Sequence, residues 1–157
     1  DGRTEKSSTS DCYVITFVEI WRGSVNLFQR KRHPMQWQRF SPYIGNIPGE
    51  IAGVFYGVCL NGDDAGNFDY VVGVEVSDFA DLPKEFYRVR VPAQKYAVFS
   101  HREHISTIRR TINTIWNSWL PASGHDIADA PEFERYGPEF DAHSGNGGLE
   151  IWVPVKA

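Results

Sequence analysis

The chain has 157 residues, 41% of them hydrophobic, 14% aromatic and 23% charged, which is the profile of one globular domain long enough to bury a sizeable core. Sixteen basic against twenty acidic residues leave a formal charge of −4, which argues against direct nucleic-acid binding, since that needs a basic face to displace counterions. No apolar run of about 18 residues occurs, so no membrane-spanning helix is expected. The unusual quantity is the ring content: ten Phe, seven Tyr and five Trp stand against a single Met.

Residues 1–11 are polar and read as a disordered tail, leaving 12–157 as one domain. CYVITFVEI at 12–20 is rich in β-branched and aromatic residues and predicts a strand. The basic run RKRH at 30–33 reads as a solvated loop. A short helix is expected from Pro34, with Trp37 and Phe40 three apart on one face and Ser41-Pro42 ending it. Strands are expected at 54–60 and 68–76, joined as a hairpin by the turn-rich NGDDAGN at 61–67. A short strand at 87–91 and another at 95–100 follow. Ile105, Ile108, Ile112, Ile115, Trp116, Trp119 and Leu120 form one stripe at helical spacing, so a helix is expected over 104–120, stopped by Pro121 and Gly124. A short strand near 134–136 and a closing strand at 149–155 complete the chain.

The order strand, helix, strand, strand occurs twice, over about 12–76 and 95–156, and some residues recur with it. Trp37/Phe40 match Trp116/Trp119, Tyr56-Gly57 matches Tyr136-Gly137, and Glu75 matches Glu150. Each glutamate sits inside β-branched strand text. On a one-sided sheet it points to solvent; in an apolar, ring-lined cavity it demands a counter-charge, because removing a carboxylate from water costs several kcal/mol. Such a cavity favours a cation, to which each ring face adds roughly 0.5–2 kcal/mol. Trp37, Tyr56, Trp116, Tyr136 and Trp152 are the candidate walls.

The segments QWQRF, NIPGEI, FYGV, FDYVVGVEV, PAQKYAVF, IWNSWLPASG, DAPEFERYGP and LEIWVPVK together resemble the GyrI-like effector-binding domain family, nearest to its stand-alone integron-cassette branch. The resemblance runs from about Trp37 to Lys156 and is most specific from Tyr96 onward. It implies an α+β fold: a duplicated strand–helix–strand–strand unit, a curved antiparallel sheet and two helices packed on one face. It also implies a small-molecule binding module for amphipathic, cationic or aromatic compounds, acting as a sensor or sequestering protein. By position Glu150 carries over as the acidic residue and Glu75 as its counterpart, with Trp37, Phe40, Tyr56, Tyr136, Trp116 and Trp152 around the ligand. Some family members are hydrolases of reactive cyclopropane-bearing compounds, and for that alternative Glu150, Glu75 and Trp37 are the candidates. No cofactor is expected. The expected partner is the ligand itself, with a homodimer or a regulator as further options.

Other chemistry finds little support in the residues. His101 and His104 lack a third metal ligand at useful spacing, and Asp63, Asp64 and Asp69 lack the pattern of a calcium loop. Cys12 and Cys59 lie in apolar text and read as buried thiols of a cytoplasmic protein, ahead of a disulfide or a reactive thiol.

Overall fold

The computed structural model describes residues 3–7, 12–17, 21–24, 41–43, 45–60, 67–77, 86–141 and 143–156. Among them are nine strands: β1 (Arg3–Ser7), β2 (Cys12–Phe17), β3 (Trp21–Ser24), β4 (Glu50–Leu60), β5 (Asn67–Val76), β6 (Phe86–Val91), β7 (Lys95–His101), β8 (Glu132–Tyr136) and β9 (Leu149–Pro154). They form one antiparallel sheet in the order β1-β7-β9-β8-β4-β5-β2-β6, with β3 also paired to β5. The class is therefore α+β, as the sequence implies. Val89 and Val91 of β6 share a core cluster with Tyr96 and Val98 of β7, although these strands lie at opposite ends of the strand order. Only residues 92–94 link β6 to β7, so strands near opposite ends of the order lie close together. That requires a strongly curved sheet, and a right-handed twist accumulated over many strands supplies the curvature.

Alternation along each strand divides the core in two. The inner face of the curve carries Val54, Tyr56, Val58, Val71, Tyr96, Val98 and Phe133, with Trp152 packed against them. The other face carries Phe99, Tyr136, Leu149, Ile151 and Val153, and the helix covers it through Ile108 and Ile115. The helical segment begins as a 3-10 turn (Ile105–Thr107) and continues as α1 (Ile108–Thr114). A π-helical turn (Ile115–Trp119) follows, and then α2 (Leu120–Ser123).

The expected stop at Pro121 is not observed: the helix passes through it and ends at Gly124, whose φ of +77° is the left-handed conformation that glycine adopts without strain. A proline ring ordinarily collides with the carbonyl four residues back. The wider π turn just before Pro121 relieves that collision, which accounts for continuation. The helix entry is tied to β7 by His101, a buried side chain. Its Nε2 lies 3.0 Å from the His104 carbonyl and its Nδ1 2.7 Å from Thr111 Oγ1.

A further difference concerns the chain's first part. Arg3–Ser7 lies inside the expected tail yet forms β1, running antiparallel to β7 from Arg3↔Phe99 to Ser7↔Lys95. An edge strand pairs through its backbone and needs no apolar pattern, so its sequence gives no signal. The helix expected from Pro34, with Trp37 and Phe40, lies outside the described residues, and Ser41–Tyr43 forms a single 3-10 turn.

Candidate functional site

Three glutamates on neighbouring strands have three different environments. Glu75 of β5 and Glu150 of β9 both lie on the inner face, as the alternation predicts for each. Glu75 accepts a hydrogen bond from the Tyr56 hydroxyl at 2.6 Å. Glu150 lies directly across from Arg135 of β8, with Nη1–Oε1 at 3.6 Å, and accepts from Trp152 Nε1 at 3.2 Å. It borders a cavity of about 650 Å³ lined by Ser100, Arg102, Arg135, Gly137, Glu139 and other residues, with no Phe, Tyr or Trp among them. The cation facing Glu150 is thus already present in the chain.

The third acid is Glu134, which the sequence reading does not single out. It is only 5% exposed, on the helix-side face of β8. Its Oε1 accepts from the Tyr70 hydroxyl at 3.0 Å and the Tyr136 hydroxyl at 3.1 Å. Its Oε2 is buried and has no hydrogen-bond donor among the described residues. Burial pushes the carboxyl up to about 7, against the pull of the two phenols, whose hydrogen bonds favour the ionised form. The phenols respond in kind: burial, then the charge of Glu134, raises both Tyr70 and Tyr136 well above the ordinary tyrosine range. Glu132, two residues earlier on the same face and opposite Cys59, is also raised to about 7, first by burial and then by Glu134. The Cys59 thiol is raised as well, by burial and by these two carboxylates.

The floor of this cluster is main chain. Gly57 of β4 pairs with Glu134 across the β4–β8 ladder and with Val72 across β4–β5. A Cβ at position 57 would fall on the Tyr70 hydroxyl and lie 2.8 Å from Glu134 Oε1. Only glycine lets the phenol cross the strand to reach the acid.

The candidate walls do not form one set. Tyr56 and Trp152 belong to the inner-face cluster, where Phe133 stacks on Trp152 with centroids 5.2 Å apart. Tyr56 and Tyr96 meet that same phenylalanine edge-on at 5.4 and 5.2 Å. These rings fill one another's space as core. Tyr136 and Trp116 belong to the helix-side cluster, and Tyr136 pairs across the ladder with Phe55 rather than with Tyr56. Tyr56 therefore lies on the inner face and Tyr136 on the helix-side face. Trp37 and Phe40 lie outside the described residues.

One signal for Glu134 was available in the text EFERY at 132–136. Strand alternation places Glu132, Glu134 and Tyr136 on one face, with Phe133 on the other. Read alone, that pattern describes a solvated face. Tyr70, 64 residues distant in sequence, turns it into a buried one.

The site thus sits in a curved antiparallel sheet with a helix on one face, around a buried acid held by phenols. The chain belongs to the GyrI-like small molecule binding domain family, whose model matches residues 21–156. The transcriptional regulator BrlR of Pseudomonas aeruginosa is 32% identical over 121 residues, covering 76% of this chain; the match spans 44% of that regulator's length. Among solved structures, SAV2435 bound to tetraphenylphosphonium superposes with a TM-score of 0.76 at 19% identity, over 99% of this chain and 94% of that one. An integron cassette protein from the mobile metagenome of Vibrio cholerae gives 0.70 at 21% identity, over 99% and 97%. No helix among the described residues is long and apolar enough to cross a membrane.

Proposed function

We propose that this domain binds an amphipathic cation, and that Glu134, rather than Glu75 or Glu150, meets the positive charge. The observation that carries the reading is the buried Glu134 Oε2, which has no donor among the described residues while Oε1 is held by two phenols. A buried carboxylate that is half satisfied holds its proton more tightly than an exposed one, and a cation beside Oε2 supplies what the fold does not. Glu75 and Glu150 are already met by Tyr56, Arg135 and Trp152. That the structurally similar SAV2435 holds tetraphenylphosphonium supports choosing a lipophilic cation as the probe. The role is that of a sensor or sequestering module.

Tetraphenylphosphonium titrated against tryptophan fluorescence tests this. Glu134→Gln is expected to weaken binding by at least about tenfold, the worth of one charge-assisted contact. An unchanged affinity would remove Glu134 from the site.

The same carboxyl favours a second reading. A group titrating at about 7 can accept a proton from water, as a hydrolase base must. Product analysis after incubation with a cyclopropane-bearing electrophile decides: turnover that vanishes in Glu134→Gln supports hydrolysis, and an intact compound excludes it for that substrate.

A further inference from the structure

Glu132 has no part in the reading above, yet it shares the face of Glu134. It stands opposite Cys59 on β4, and its Cα lies two strand rises, about 7 Å, from that of Glu134. Among the described residues, the groups facing the pair are Cys59 from β4, Tyr70 from β5 and Tyr136 from β8 itself. None is a cation, and neither carboxylate draws on a positive side chain among the described residues. Arg135 adjoins Glu134 in sequence, but its side chain is on the opposite face with Glu150. Tyr70 and Tyr136 both donate to Glu134 Oε1, so the acceptor left without a donor among the described residues is Glu134 Oε2, with Glu132 beside it on the same face.

We infer that Glu132 and Glu134 form a two-charge receptor that prefers a dication to a monocation of the same length, with Glu132 setting the preference. The inference rests on the cation reading at Glu134. Two like charges this close repel each other when both are ionised. A monocation compensates one carboxylate and leaves the other uncompensated. A dication whose charges match the spacing compensates both.

The test compares pentyltrimethylammonium with pentamethylene-bridged bis(trimethylammonium), which has the same chain and a second cationic end. Calorimetric titration of the wild-type protein at about pH 8 should show the dication binding about tenfold tighter, and the ratio should shrink towards unity at about pH 6, where both carboxyls keep protons. Glu132→Gln should bring the two affinities within about twofold. Equal wild-type affinities at about pH 8, or a full preference surviving in Glu132→Gln, overturns the role of Glu132 and leaves Glu134 standing. Failure of either cation to bind the wild-type protein overturns both readings. The wild-type comparison decides even where the variant folds poorly.

Discussion

The two faces of β8 treat acidic groups in opposite ways. On the inner face Glu150 of β9 pairs with Arg135, at side chains 23% and 31% exposed, and accepts a hydrogen bond from Trp152, so the acid is partnered and partly hydrated. On the helix-side face Glu134, one residue from Arg135, is buried with an oxygen left over. Consecutive positions on one strand thus hold a satisfied charge and an unsatisfied one. The role of a strand glutamate is set by what crosses over it from the neighbouring strands. Its own flanking residues say little about that.

The largest effect should separate the two faces directly. Glu134→Gln is expected to lower tetraphenylphosphonium affinity by at least about tenfold, whereas Glu150→Gln and Glu75→Gln change it by less than about threefold. A larger loss in Glu150→Gln would collapse the distinction.

Unliganded stability is expected to carry the same signature. Glu134 titrates at about 7 in the folded protein, above the ordinary 4.5, so the folded form holds its proton more tightly than the unfolded chain. The stability this confers is complete below about pH 4.5, is lost as pH rises through about 7, and is level beyond; its size is on the order of 3 kcal/mol. Thermal melts across that range should show the decline in wild type and a flatter profile in Glu134→Gln, which should melt higher than wild type at about pH 8. Equal slopes would contradict the burial of an ionisable Glu134.

Smaller effects belong to the inner face. Tyr56→Phe removes the 2.6 Å hydrogen bond to Glu75 and should cost about 1 kcal/mol in urea unfolding with no change in slope. Arg135→Gln breaks a partly exposed ion pair and should cost less than about 1 kcal/mol, with the loss shrinking in added salt.

Much of the architecture was legible in the sequence. The β-branched runs at 54–60, 68–76 and 149–155 fall within β4, β5 and, but for its last residue, β9, and the isoleucine stripe marks the helix. What escaped has a physical reason in each case. β1 and Trp21–Ser24 are short strands held by backbone pairing with β7 and β5, which leaves little trace in side chains. The helix outran Pro121 because the preceding turn is π-helical, a feature without a sequence signature. Glu75 and Glu150 drew attention because apolar residues flank them, and both proved to have partners. Glu134 was masked by Glu132 and Arg135, whose charges make EFERY look like a wetted strand.

Gly57 carries a consequence for how variation at this site would be read. Most binding pockets can be tuned in graded steps, each added methylene trimming the space a little further. Position 57 offers no such gradient, because the first carbon beyond the backbone already occupies the place of the Tyr70 hydroxyl. A saturation series there should therefore behave as a switch, with alanine showing nearly the full loss and larger residues adding little. Selectivity for ligand size would have to be adjusted elsewhere along the helix-side face, leaving the contact between main chain, phenol and acid as a fixed point around which the rest of the site can vary.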